Sequence, residues 1–195
     1  MHKLGFILVG ILLVFSTACN SPYVPKVKGY SLLSFPEKKY QLFDTVGYPY
    51  AFEYPVYAQI DNKVNYFGDN QQTKNWININ FPENGGTIYV SYRNINPNQL
   101  DTLVRDAYTF ANNHNVKANV IEDSVFTTPS GVHGVFFHIG GNVATSYQFF
   151  LTDSVRHFFR GALYFDTTPN EDSLAPVNAF LFKDLTHLVN TFKWK

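Results

Sequence analysis

On both sides of Asn84-Gly85-Gly86 the chain alternates apolar and polar residues with a period of two. Ile77, Ile79 and Phe81 alternate with Asn78 and Asn80 before it, and Ile88, Val90 and Tyr92 repeat the pattern after it. Successive strand side chains point to opposite faces, so the pattern predicts two half-buried strands joined by a hairpin turn. Once this hairpin is in place, neighbouring segments must supply further strands or a covering layer. Tyr50-Ala51-Phe52-Glu53-Tyr54 also alternates, between Pro49 and Pro55. Strands are expected at residues 118–126 and 132–139, with a turn at Gly140-Gly141-Asn142. Tyr147, Phe149 and Leu151 alternate next, and Asp153-Ser154 makes another tight turn. Residues 157–165 are apolar enough for a central strand.

Two helices complete the pattern. Asn96-Pro97 has the chemistry of an N-cap followed by a first-turn proline, and Leu100, Leu103, Val104, Ala107, Phe110 and Ala111 form one apolar stripe. After Thr168-Pro169-Asn170, a last helix is expected at residues 176–192, with Val177, Phe180, Leu181, Leu185, Leu188, Val189 and Phe192 on one face. Strands from residue 75 to 165, broken by one long helical insertion, imply α+β: a single domain, mainly an antiparallel twisted sheet with two main helices packed on it. PsbP/Mog1-type sheets share this run of hairpins and closing helix, an analogy of fold that carries no function. Aromatics are 17% of the 195 residues, which suits a pleated surface, and apolar residues at 45% are enough for a real core.

The N-terminus belongs to export rather than to the fold. Met1-His2-Lys3 is a short basic start, and residues 4–15 are an unbroken apolar run, too short for a permanent membrane helix. Ser16-Thr17-Ala18 then leads to Cys19, the chain's one cysteine. Lipoprotein processing cuts before a lipidated cysteine after small residues, which Thr17 and Ala18 satisfy, although Ser16 stands where leucine is commonest. Ordinary cleavage after Ser16-x-Ala18 is the alternative, but it leaves an unpaired exposed thiol in an oxidising space. The expected organisation is a lipoprotein signal peptide at residues 1–18, a lipid anchor and extended tether at 19–34 and a globular domain at 35–195. A diacylglyceryl thioether on Cys19, with a further N-acyl chain, holds a protein stably on its membrane. Residues 20–34 reach roughly 45 Å when fully stretched.

No residue constellation carries recognisable catalysis. His133 and His138 fall on opposite strand faces, while His138 and His157 are able to meet only across strands. Asp153, Ser154 and His157 contain the letters of a triad, at spacings too short for a relay. Glu122-Asp123 puts one carboxylate on each side of a strand, and Glu171-Asp172 belongs to a helix-initiating turn. No metal-ligand spacing, nucleophile elbow or phosphate loop is present, so no catalytic residue, metal or cofactor is expected. A formal charge of zero and the lack of a basic stripe argue against nucleic acid. Trp76, on the strand face opposite Ile77, Ile79 and Phe81, is the first candidate for an exposed aromatic docking patch.

Several stretches together resemble one family, the gliding motility lipoprotein GldD family of Bacteroidetes-type bacteria. They are Tyr23-Val24-Pro25-Lys26 with Gly29-Tyr30, Phe35-Pro36-Glu37-Lys38-Lys39-Tyr40, Tyr50-Ala51-Phe52-Glu53-Tyr54-Pro55 and Tyr147-Gln148-Phe149-Phe150-Leu151-Thr152-Asp153-Ser154. Phe159-Arg160-Gly161-Ala162-Leu163-Tyr164-Phe165, Pro169-Asn170-Glu171-Asp172-Ser173-Leu174-Ala175-Pro176 and Thr191-Phe192-Lys193-Trp194-Lys195 continue it. Residues 41–72 match less closely, which points to a lineage-specific loop around 65–74. The resemblance implies a non-enzymatic component of the cell envelope, needed for gliding motility and linked to type IX secretion, whose partners are proteins of that machinery. Only Cys19 transfers with a defined chemical role. Asn20-Ser21-Pro22 carries no acidic cluster, which favours a periplasm-facing protein, with the outer membrane slightly favoured over the inner. A periplasmic small-ligand-binding lipoprotein, with an aromatic pocket between sheet and helix, is the alternative.

Overall fold

The alternating segments pair largely where the sequence places them. A computed structural model describes residues 33–62 and 73–195, so the signal segment, Cys19, the tether up to residue 32 and most of the expected loop lie outside the described residues. The elements are β1 (Tyr40–Phe43), β2 (Tyr50–Pro55), β3 (Gln59–Asp61), β4 (Ile77–Phe81), β5 (Gly86–Asn94), α1 (Pro97–Asn112) and β6 (Ala118–Thr127). They continue with β7 (His133–Gly141), β8 (Tyr147–Thr152), β9 (His157–Phe165), α2 (Glu171–Thr191) and β10 (Lys193–Trp194). A seven-stranded sheet runs in the order β3-β4-β5-β9-β8-β7-β6, with every neighbouring pair antiparallel. The apolar strand β9 takes its centre, as its composition predicts. A second sheet, β1-β2-β10, has three strands. Its short last strand carries no period in the sequence and forms only because the end of α2 delivers it to β2.

The helices cover opposite faces of the large sheet. On one face Ile77, Ile79, Phe81, Ile88, Val90, Phe149, Leu151, Phe159 and Leu163 meet Val177, Leu181, Leu185 and Leu188 of α2 and Tyr50 and Phe52 of the small sheet. On the other, Val135, Phe137, Ile139, Phe150 and Phe158 meet Ala107 and Ala111 of α1. Among the described residues no helix is long and apolar enough to cross a membrane.

The structure corrects two local expectations. The last helix starts at Glu171 rather than at residue 176, because Asn170 Oδ1 accepts the Ser173 N–H at 2.9 Å and Glu171 and Asp172 complement the helix dipole. Pro176 therefore sits inside the helix, near its start, where it has no N–H to give to the Asp172 carbonyl. Gly140 and Gly141 continue β7 instead of turning it. Gly141, at φ 112°, lies under the bulge of β6, and a Cβ there would stand 2.6 Å from the Lys117 carbonyl oxygen. Gly161 likewise lets the Phe149 ring cross β9, since a Cβ would stand 2.5 Å from that ring.

Candidate functional site

Two sites stand out, one closed and one open. The closed one fastens the start of the domain to α2. Asp184 occupies the buried face of that helix, three residues after Leu181 and four before Leu188, and its side chain is 1% exposed. Lys38 Nζ reaches its Oδ2 at 2.7 Å and also donates to the Tyr57 hydroxyl and the Phe180 carbonyl. The Tyr57 and Tyr40 hydroxyls donate to the same carboxylate at 2.6 and 3.1 Å. The ammonium lies 3.2 Å from the centre of the Phe180 ring, which also stacks with Phe35 and Tyr57. Burial pushes Lys38 below its ordinary value while Asp184 pulls it back up. The Tyr40 hydroxyl is pushed up to about 12, by burial first and then by Asp184. Tyr40 also stacks on His187, which bonds Glu53 at 2.6 Å. A charge pair this buried is fully hydrogen-bonded on both sides, the condition for tolerating it. Its signal in the sequence was an aspartate at a core position of the α2 stripe, which the sequence reading missed.

The open site runs beside α1. Only Ala107 and Ala111 of the predicted stripe are fully buried, with Leu100, Leu103 and Val104 partly so. Phe110, expected on the core side, is 49% exposed. A helix anchored by two alanines covers the β7-β8-β9 side of its sheet face and leaves the β4-β5 side uncovered. The result is a hollow of about 410 Å³ walled by Trp76, Tyr89, Leu103, Phe110 and Arg160. A second hollow of about 800 Å³, at the N-terminal end of α1, adjoins it and shares Arg93 and Leu103. Trp76 precedes β4 and is half-buried, with its indole N–H donated to the Tyr92 carbonyl at 2.9 Å. It is a wall of a groove rather than the centre of a flat patch. Arg160 donates to Gln148 Oε1 at 2.6 Å and lies 4.7 Å from the Phe110 ring centre. Burial pushes its guanidinium below the usual value, yet an arginine stays protonated, so the charge is held at a desolvation cost.

The letters of a triad are used by a turn. Asp153 Oδ1 accepts the backbone N–H groups of Val155, Arg156 and His157, all within 3.0 Å, and Ser154 turns the chain at φ 65°. Burial alone would raise the Asp153 carboxyl, but those N–H groups outweigh it and hold the group below its ordinary value. His157 instead bonds the Tyr92 hydroxyl at 2.8 Å and stacks on Trp194. His138 lies on β7, two strands away from His157 on β9, and approaches Glu122 at 3.5 Å; the two histidines do not meet. Glu122 and Asp123 do take opposite faces, since Asp123 accepts from Tyr108 of α1. Glu171 in the first turn of α2 accepts the Gly141 N–H, a structural use. Among the described residues no three His, Cys, Asp or Glu side chains gather as a metal site.

Comparison with known proteins adds a family to this geometry. No curated protein matches the sequence. Among solved structures, the chain is similar to the solution structure of cyanobacterial PsbP (CyanoP) from Synechocystis sp. PCC 6803, at 13% identity and a TM-score of 0.49, over 85% of this chain and 98% of that one. The model of the gliding motility lipoprotein GldD family matches residues 20–194, nearly the whole chain after Cys19, and the chain belongs to that family.

Proposed function

We propose that this gliding motility lipoprotein is a non-catalytic docking scaffold, held on a membrane through lipidated Cys19 and working with the type IX secretion machinery associated with gliding. The observation that carries this reading is the separation of its two sites. The segment that follows the tether, Phe35-Pro36-Glu37-Lys38-Lys39-Tyr40, is locked to α2 on one side of the large sheet. The aromatic-walled groove beside α1 lies on the other side and is left open. A domain held from one face and open on the other suits a protein that presents a surface to partners. Lipid tethering raises the local concentration of that surface near a membrane complex, so a modest interface suffices. The lack of acidic residues just after Cys19 favours a periplasm-facing position, with the outer membrane as the preferred site.

The test is crosslinking of the full-length protein in native membranes, followed by affinity capture and mass spectrometry. The expected result is recovery of gliding and secretion components, with both recovery and gliding lost when Cys19→Ala releases the protein from the membrane. A membrane-retained, motile Cys19→Ala strain would remove the anchor from the account. Capture of the folded, anchored protein alone would favour a small ligand in the α1 groove instead.

A further inference from the structure

The groove beside α1 holds a charge that the described part of the protein leaves unanswered. Arg160 rises from the centre of the sheet into the hollow walled by Trp76, Tyr89 and Phe110. Of the five N–H donors on its guanidinium, one is used, toward Gln148 Oε1 at 2.6 Å. Among the described residues no carboxylate pairs with it; the ion pairs they form involve other cations. Gln148 is 1% exposed, and its buried Nε2 has no hydrogen-bond partner. Leaving a part-buried cation and an adjacent buried amide half satisfied costs stability, and an apolar side chain of similar size would avoid that cost. Asp184 shows that this fold can answer a part-buried cation when the purpose is structural. At Arg160 it does not.

The shape and charge of the cleft define what is missing. The two hollows follow one another along α1 and share Arg93. The larger is lined by Lys74, Arg93 and Lys195 and by no aspartate or glutamate; the smaller has one carboxylate, Asp106 of α1, which forms no ion pair with Arg160 and faces two arginines, Arg93 and Arg160. Lys195 is paired with Asp44, whereas Lys74 and Arg93 form no ion pair among the described residues. In a chain of zero formal charge, this local excess of cations is an arrangement and not a consequence of composition. An elongated cleft with aromatic walls and free guanidinium donors suits an extended chain carrying apolar and acidic side chains.

Resting on the docking reading above, we propose that an extended acidic segment of a partner protein binds along α1. An apolar side chain of that segment sits among Trp76, Tyr89 and Phe110, and the carboxylate beside it takes the free donors of Arg160. Arg93 and Lys74 receive further acidic residues.

The experiment uses the full-length lipoprotein in its own cells, with p-benzoylphenylalanine at position 110 as a photo-crosslinker close in shape to the native Phe110. The expected result is a protein adduct whose crosslinked segment, sequenced by mass spectrometry, carries Asp or Glu beside an apolar residue. Arg160→Gln should lower the adduct yield about tenfold or more, the loss expected when a charge-assisted contact at an interface centre is removed. A second variant guards against misfolding. Arg160→Met with Gln148→Leu replaces the polar pair by apolar groups, so it should melt no lower than the parent and still lose the adduct. Undiminished adduct in both variants, a crosslinked segment without a carboxylate, or an adduct only with lipid overturns the proposal. So does no adduct at all, and if affinity capture still recovers partners in that case, the docking reading survives while this site falls.

Discussion

The two faces of the seven-stranded sheet are built from the same strands and finished in different ways. Toward α2, Phe159 is fully buried against Tyr50, Phe52, Phe149 and Phe192, and the cation that enters from Lys38 meets Asp184 at 2.7 Å. Toward α1, the covering helix is seated by two alanines, Phe110 stands half in solvent, and the cation of Arg160 has a ring and an amide for company. One face answers the cation that it takes in; the other leaves most of the donors of Arg160 unused. On the docking reading proposed above, the difference teaches where stability and recognition are kept apart in this domain. Packing and the Lys38–Asp184 pair hold the fold on the α2 side, which frees the α1 side to be incomplete.

The comparison breaks first, if it breaks, on aromatic truncation. Phe159→Ala is expected to lower the unfolding free energy by about 3–5 kcal/mol, read from urea titration, because a closely packed ring site collapses only partly. Phe110→Ala on the open face should cost less than about 1 kcal/mol. Equal costs would mean that α1 seals a core rather than flanking a cleft.

A smaller effect separates the two cations. Asp184→Ala leaves Lys38 beside the α2 face without its counter-charge and should cost about 3 kcal/mol. Adding Lys38→Met to it should return much of that stability, measured in the same titration. Failure of the second change to rescue the first would show that Asp184 matters by its packing alone.

The smallest effect is one of pH. Tyr40 keeps its proton in the folded protein up to about 12 and releases it near 10.0 when unfolded. Its contribution is therefore complete below pH 10.0 and is lost as pH rises through about 12. Tyr40→Phe should cost about 1 kcal/mol at neutral pH, and it should flatten the fall in stability between those two values. Lys38 is present in both proteins, so the difference between their alkaline curves isolates the phenol. An unchanged alkaline limb would remove Tyr40 from the Asp184 cluster.

Much of this fold was legible because strand and helix periods are local. Ile77, Ile79 and Phe81 alternate whether or not their partners are known, and the Asn96-Pro97 start of α1 depends on its first turn alone. The strand β10 and the three-stranded sheet were not legible, since two residues have no period and pair only when a distant helix brings them to β2. Trp76 was identified from its strand face, but its role as a groove wall depends on how far α1 stops short of β4. The aspartate at 184 was visible as a polar residue in an apolar stripe; its partners, 127 to 146 positions away, were not.

The sequence by itself determined the strand pattern, the α+β class, the resemblance to a family and the expectation of a lipid on Cys19, because each is written in neighbouring residues. Only the tertiary structure decided that Lys38 would be answered and Arg160 would not. Charge compensation is a matter of distances between atoms, and those distances exist only after the chain has folded.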